Sequence, residues 1–230
     1  MIRDHDFNCT WWGARVGILE DAAFFSEPAE KRTAELAPYS WVEFRCALDE
    51  APDPWRLSDA GFAQVDTQLK FRIGLGRIAA STEPLTVRFA SEEPFALPEK
   101  DWPDFIHERF RHLPDTTAKK VSERYSIWGA GLLTRSPEWC VEVGRDGQAE
   151  GWFLAEPEGG HLNLALAMTR RGATISGLDF YAAALRAFGE RGARLGEARF
   201  SIENRPVHNI YARLGAVFLD AIGCWMWSAR

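Results

Sequence analysis

The stretch Ser201-Ile-Glu-Asn204-Arg-Pro-Val-His-Asn209-Ile-Tyr211-Ala-Arg-Leu-Gly215 decides how the rest of the chain is read. A strand-like run, Ala198-Arg-Phe-Ser-Ile202, leads into it, and a second, Val217 to Asp220, leaves it. Asn204 and Tyr211 lie close to two helical turns apart, so a helix between the two strands carries both on one face. That face offers an amide and a phenol to one extended ligand.

Upstream lies a second strand-turn-helix unit. The run Leu162-Asn-Leu-Ala-Leu-Ala-Met168 leads into Thr169-Arg-Arg-Gly-Ala-Thr-Ile-Ser-Gly177, and a helix over Ser176 to Arg191 ends at Gly192. The first N–H groups of a helix lack internal partners and carry partial positive charge, so such a turn is a sound site for an anion. Arg170 and Arg171 stand where charge-assisted bonds to phosphate form.

This order, with Asn-x-x-x-x-x-x-Tyr-x-x-x-Gly after the loop, resembles the GNAT superfamily of acyl-CoA-dependent N-acyltransferases. The resemblance implies an α/β (α+β) fold with a mixed, mostly antiparallel sheet flanked by helices. In that fold the strands over His161–Met168 and Arg199–Ile202 splay into a V that takes the donor. The implied donor is acetyl-CoA, with no metal. Asn204 and Asn209 would contact the pantetheine arm, which Ala167, Met168 and Thr169 would line. The turn of Arg170, Arg171, Gly172, Ala173, Thr174, Ile175, Ser176 and Gly177 would hold the diphosphate. Tyr211 would protonate the departing thiolate, a step that general acid chemistry allows between a phenol of about 10 and a thiol of about 8.5.

The turn departs from the family pattern Gln/Arg-x-x-Gly-x-Gly/Ala. With Gly177 in the last position, Ile175 takes the middle glycine and Gly172 the first place; with Arg171 first, Thr174 and Ser176 replace the glycines. A side chain at the middle position limits how closely a phosphate approaches the backbone.

The remaining chain organises around these units. Strand-like runs are expected over Ala14–Leu19, Trp41–Ala47, Thr67–Ile73 and Thr86–Ala90, and helices around Trp55–Ala60, Trp102–His112 and Thr116–Leu132. A meander follows over Trp139–Val143, Ala149–Ala155 and His161–Met168, its first turn marked by Asp146-Gly147. Ala79 to Pro84 is the candidate linker, which divides the chain into a part over 1–78 and a part over 79–230. Leu57-Ser-Asp-Ala-Gly61-Phe-Ala-Gln-Val-Asp66 echoes Tyr211-Ala-Arg-Leu-Gly215-Ala-Val-Phe-Leu-Asp220, as a helix-to-strand corner used twice. The first part then reads as a smaller, truncated copy of the second.

Phe7-Asn-Cys-Thr-Trp-Trp-Gly13, Val42-Glu-Phe-Arg-Cys-Ala and the Gly61-Phe-x-x-Val65 corner are similar to one subgroup, the dTDP-fucosamine acetyltransferases and their relatives. That resemblance implies an acceptor amine on a nucleotide-linked amino sugar, with Gln68 and Arg109 on the acceptor side. An amino acid, antibiotic or siderophore amine is the alternative acceptor, and a binding or scaffold module with a degenerate turn is the alternative outside enzymes.

Bulk composition sets the outer bounds. A chain of 230 residues with 46% hydrophobic and 26% charged residues reads as globular, and a net charge of −6 argues against a nucleic-acid partner. Cys9, Cys46, Cys140 and Cys224 have no ligand spacing and read as buried thiols. No signal-like leader and no apolar run of about 18 residues is present, so a cytoplasmic protein without membrane contact is expected. The Trp11-Trp12, Trp225 and Trp227 side chains are expected in the core, with a homodimer interface as the alternative.

Overall fold

Gly61 and Gly215 end two helices in the same left-handed conformation, at φ 77° and 82°, and the likeness spreads outward from both corners. A computed structural model describes residues 1–229. The first part contains β1 (Ile2–Asp4), α1 (Asp6–Trp12), β2 (Val16–Leu19), α2 (Ala29–Leu36), β3 (Trp41–Ala47), α3 (Pro54–Asp59) and β4 (Ala63–Gly74). The second contains β5 (Thr86–Phe89), α4 (Ala118–Arg135), β6 (Cys140–Arg145), β7 (Gln148–Glu158), β8 (His161–Thr169), α5 (Gly177–Glu190), β9 (Leu195–Ser201), α6 (Arg205–Arg213) and β10 (Val217–Ser228). All ten strands form one sheet in the order β1-β2-β3-β10-β4-β9-β8-β7-β6-β5.

One constant interval in sequence carries the first part onto the second. It moves Trp41–Ala47 onto Leu195–Ser201, Asp59 onto Arg213, Gly61 onto Gly215 and Asp66 onto Asp220. Strand pairing follows the same rule: the pair Ile222–Ala47 becomes Gln68–Ser201, and Ser228–Trp41 becomes Gly74–Leu195. β4 and β10 pair antiparallel at the centre, where Gln68 faces Ile222, a pair that the interval maps onto itself. The sequence echo is therefore a repeat related by a local two-fold axis. The halves are interleaved, because β4 from the first lies between β9 and β10 of the second.

The cores divide by sheet face. α5 and α6 cover Phe71, Ile73, Val141, Phe153 and Leu164. α4 covers another cluster, of Trp102, Trp152, Leu154, Leu166 and Met168. Asp146-Gly147 turns the β6–β7 hairpin with both residues at positive φ, the geometry that hairpin twist requires. Trp11 and Trp225 are buried, whereas Trp12 and Trp227 lie partly buried at the edges of the same clusters.

Two expectations are corrected. Trp102–His112 is not a helix but irregular chain that follows one short 3-10 turn, Glu99–Asp101, and ends in another, Arg109–His112. Trp102 and Phe110 are both buried but in different clusters, and a chain bridging two cores must extend. Cys9 and Cys46 are only partly buried, while Cys140 and Cys224 are buried and burial pushes each thiol up to about 12. α1, α2 and most of the length of β10 were not legible in the sequence. No helix among the described residues is long and apolar enough to cross a membrane.

Candidate active site

Strict alternation in β8 would put Leu162, Leu164, Leu166 and Met168 on one face of the sheet. Instead Leu162 and Leu164 pack toward α5, whereas Ala165, Leu166 and Met168 pack toward α4. A register shift between Leu154 and Glu156 of β7 accounts for the switch, since β8 carries one extra residue there. Such a bulge bends its strand and ends regular pairing on the far side. β8 accordingly pairs with β9 only at Leu162–Gly196 and Asn163–Glu197. Beyond the bulge no ladder joins the facing edges of the two strands, which leaves an unpaired wedge whose β8 side includes Ala167, Met168 and Thr169. In the first part, β2 and β3 pair at four successive positions, Val16–Trp41 to Leu19–Phe44.

α6 starts at the end of β9. Asn204 is its N-cap, its side-chain oxygen accepting from the Val207 N–H at 3.3 Å, and Pro206 follows within the first turn. This capping uses the Asn204 side-chain oxygen and leaves its amide NH₂ outside the cap. Asn209 is exposed on the same helix. Tyr211, near the helix end, is 3% exposed. Its ring lies 3.9 Å from that of Phe71, 5.2 Å from Tyr181 on α5 and 5.9 Å from Phe200 on β9, measured between centroids. Burial, and next the neighbouring Tyr181, push its pKa well above the ordinary phenol range, so the hydroxyl keeps its proton at any physiological pH. In the first part the matching positions hold Leu57 and Glu50.

The turn before α5 has a different character from the one expected. Arg170 N–H donates to the Glu150 carbonyl at 2.7 Å, Arg171 N–H to the Asp101 carbonyl at 2.6 Å, and Ala173 N–H to the Arg170 carbonyl at 2.9 Å. Thr174 N–H and Oγ1 donate to the Glu150 carboxylate at 2.6 and 3.0 Å. Glu150 is 2% exposed, and its pKa falls below the carboxylate range because these donors, Arg170 and the Ile175 N–H outweigh the burial that would raise it. The Arg170 Nε donates to the Ala149 carbonyl, and Arg171 pairs with Asp104. Both arginines, expected on a phosphate, are thus engaged with the protein itself. Ile175 is buried in the core, and Gly172 turns the chain at φ 72°. A side chain at Gly177 would meet Ile210 of α6 at 2.9 Å, so close helix packing explains that glycine. Ser176 caps α5 and, with Ser81 and Thr82 of the linker, surrounds the Asp179 carboxylate in its first turn.

The sheet face opposite α5 and α6 is polar along the wedge. Gln68, Lys70 and Arg72 of β4 stand beside Ser201, Arg199 and Glu197 of β9. Glu197 gathers Arg72, Lys70 and His161. Gln68 is buried at one end of this strip, next to Asp66, whose Oδ1 accepts from the Ser201 hydroxyl at 2.7 Å. Arg109 does not face the strip freely. Its Nε donates to Glu43, which is fully buried, at 2.5 Å, and Glu108 lies 3.5 Å away. With both acids holding its charge, Arg109 is part of an internal ion pair and is withdrawn from phosphate contact.

Two surface grooves lie elsewhere, one of 630 Å³ between the linker and α5 and one of 460 Å³ beside α3 and Trp225. Sequence reasoning missed Glu150, Asp179 and the β8 bulge. The bulge was hidden by the regular Leu-x-Leu-x-Leu-x-Met spacing, and Glu150 had no motif to mark it.

No family model matches the sequence, and no curated protein is similar to it in sequence. Its solved structural neighbours include GCN5-related N-acetyltransferases. One from Sphaerobacter thermophilus is 16% identical with a TM-score of 0.55, over 82% of this chain and 59% of that one. One from Kribbella flavida is 14% identical with a TM-score of 0.54, over 94% and 82%. A tandem GNAT protein from the clavulanic acid biosynthesis pathway is 15% identical with a TM-score of 0.53, over 95% and 76%. The chain therefore has the GNAT fold, and it spans about three-fifths of the Sphaerobacter protein.

Proposed function

We propose that this protein is an N-acyltransferase that moves an acyl group, acetyl in the first instance, from a pantetheine thioester to a primary amine. The observation that supports this reading is the end of β8–β9 pairing at Asn163–Glu197, with α6, which carries Asn204 and Tyr211, starting at the end of β9. Unpaired strand edges can take an extended amide-bearing arm as a further strand. In this reading the Asn204 NH₂ contacts the arm. The neutral amine attacks the thioester carbonyl within a ternary complex, the tetrahedral adduct collapses, and the Tyr211 hydroxyl gives its proton to the leaving sulfur. The amine loses its proton to water, since no side chain at the wedge stands out as a base.

Acetyl-CoA fits this site in part. The wedge suits its pantetheine arm, whereas the turn of residues 170–175 has its backbone donors engaged within the protein. Residues 79–230 carry the wedge. Residues 1–78 form the reduced copy, without the Asn/Tyr pair, and contribute β4 beside the site. Arg199 on the polar strip suits an acceptor bearing phosphate, such as a nucleotide-linked amino sugar, whereas Lys70 and Arg72 pair with Glu197. A second reading, a binding module that keeps the fold without turnover, draws support from the Glu150 carboxylate in the turn.

Mass spectrometry tests the choice. The protein is incubated with S-acetylpantetheine or acetyl-CoA and a panel of amino sugars and small amines. Enzyme-dependent acetylation of an amine supports transfer; binding of the thioester without any acetylated product supports the module.

A further inference from the structure

The donor set that would receive a phosphate oxygen in the turn before α5 is a backbone N–H, a hydroxyl and a guanidinium. All three converge on one carboxylate of the protein itself. Glu150 takes the Thr174 N–H at 2.6 Å and the Thr174 hydroxyl at 3.0 Å, and has the Arg170 guanidinium at 3.7 Å. Two further observations keep this arrangement closed. Ile175 is 8% exposed within the core, so the turn cannot rotate its N–H groups toward the wedge without withdrawing that side chain from the core. Asp179 adds a second negative charge in the first turn of α5, held by Ser176, Ser81 and Thr82. A diphosphate arriving here meets spent donors and two like charges, whereas the wedge edges beyond the β8 bulge stay unpaired.

We propose that Glu150 is an internal substitute for the diphosphate, so that the protein selects its acyl donor by the pantetheine arm alone and leaves any diphosphate outside the turn. This rests on the acyl-transfer reading and narrows it, making the donor class any acyl-pantetheine thioester.

The test is amide NMR of the intact wild-type chain titrated with S-acetylpantetheine and, separately, with CoA. Expected are shifts at wedge residues such as Ala167 and Thr169 with both ligands, and unmoved Thr174 and Ile175 amides at saturating CoA. Movement of the Thr174 and Ile175 amides with CoA overturns the substitution by Glu150. Failure of the wedge amides to move with either ligand overturns acyl transfer instead, so the two failures are read at different residues. Glu150→Gln keeps an acceptor for the Thr174 N–H but removes the charge. In that variant the affinity for CoA relative to S-acetylpantetheine is expected to rise about five- to tenfold, through relief of a like-charge contact. A fall or no change in that ratio, with the fold retained, contradicts the proposal.

Discussion

Tyr211→Phe separates chemistry from packing more cleanly than any other substitution at this site. The ring it leaves behind keeps its contacts with Phe71, Tyr181 and Phe200, at centroid distances of 3.9, 5.2 and 5.9 Å. A swap that conserves buried volume changes stability by less than about 1.5 kcal/mol. For a chain of this size that is a melting shift of a few degrees, at about 2–4 °C per kcal/mol. Loss of a general acid costs on the order of 10²–10⁴ in rate, equivalent to about 2.7–5.4 kcal/mol of barrier. The mutant is therefore expected to melt near the wild-type temperature, bind S-acetylpantetheine with little change and lose at least tenfold in turnover. The assay pairs thermal melting with thiol release in the presence of the best amine from the panel. The first part supplies an internal comparison, because Leu57 fills the equivalent buried position there with no phenol. Wild-type turnover by Tyr211→Phe would refute the acid role, and a large loss of stability would show that the ring packing had been misjudged.

Other perturbations probe the frame around the phenol. Deleting Ala165 removes the extra residue of β8 while leaving Leu164, Leu166 and Met168 on their present faces; β8 should then continue alongside β9, and thioester binding should disappear from a folded protein, as titration calorimetry would show. Arg109→Ala leaves Glu43 buried without its partner and should cost about 3–5 kcal/mol in denaturant unfolding, with recovery when Glu43→Met is combined with Arg109→Met. Asn204→Ala removes the α6 cap and should cost about 1 kcal/mol, seen as faster hydrogen exchange at Val207. Glu43 and Glu150 both have folded pKa values below the ordinary range, Glu43 because Arg109 and Arg45 outweigh its burial. Their stabilisation is complete above about pH 4.3 and vanishes as pH falls through the lower folded values, so the melting temperature should drop between neutral pH and pH 3. A flat profile over that range would contradict these ion pairs.

The helix bearing Asn204 and Tyr211 was legible because its period, its Pro in the first turn and its closing glycine are all local signals. The same holds for the β6–β7 hairpin, where Asp146-Gly147 states the turn outright. The corner repeated at Gly61 and Gly215 also marked a real structural repeat. What the sequence could not convey was the interleaving of the halves, since the pairing of β4 with both β9 and β10 is a long-range event with no local mark. The surroundings of the turn before α5 were hidden for a related reason. Arg170 and Arg171 have the right chemistry for an anion, but only the fold brings Glu150 and Asp104 up against them. Arg109 is similar, because its exposure in sequence was cancelled by Glu43 from a distant strand. In β8 a regular apolar spacing concealed the bulge on which the wedge depends.

Hydrogen exchange followed by mass spectrometry on residues 165–169 and 198–201, with and without S-acetylpantetheine, tests the open wedge most directly. Rapid exchange in the free protein at the alternate amides that do not pair with β7 or β4, slowed in both segments when the thioester is added, is the outcome expected of two unpaired strand edges that receive an extended arm. Slow exchange at those alternate amides in the free protein, or exchange that the thioester leaves unchanged, would mean that the edges are already closed or that the arm does not bind between them.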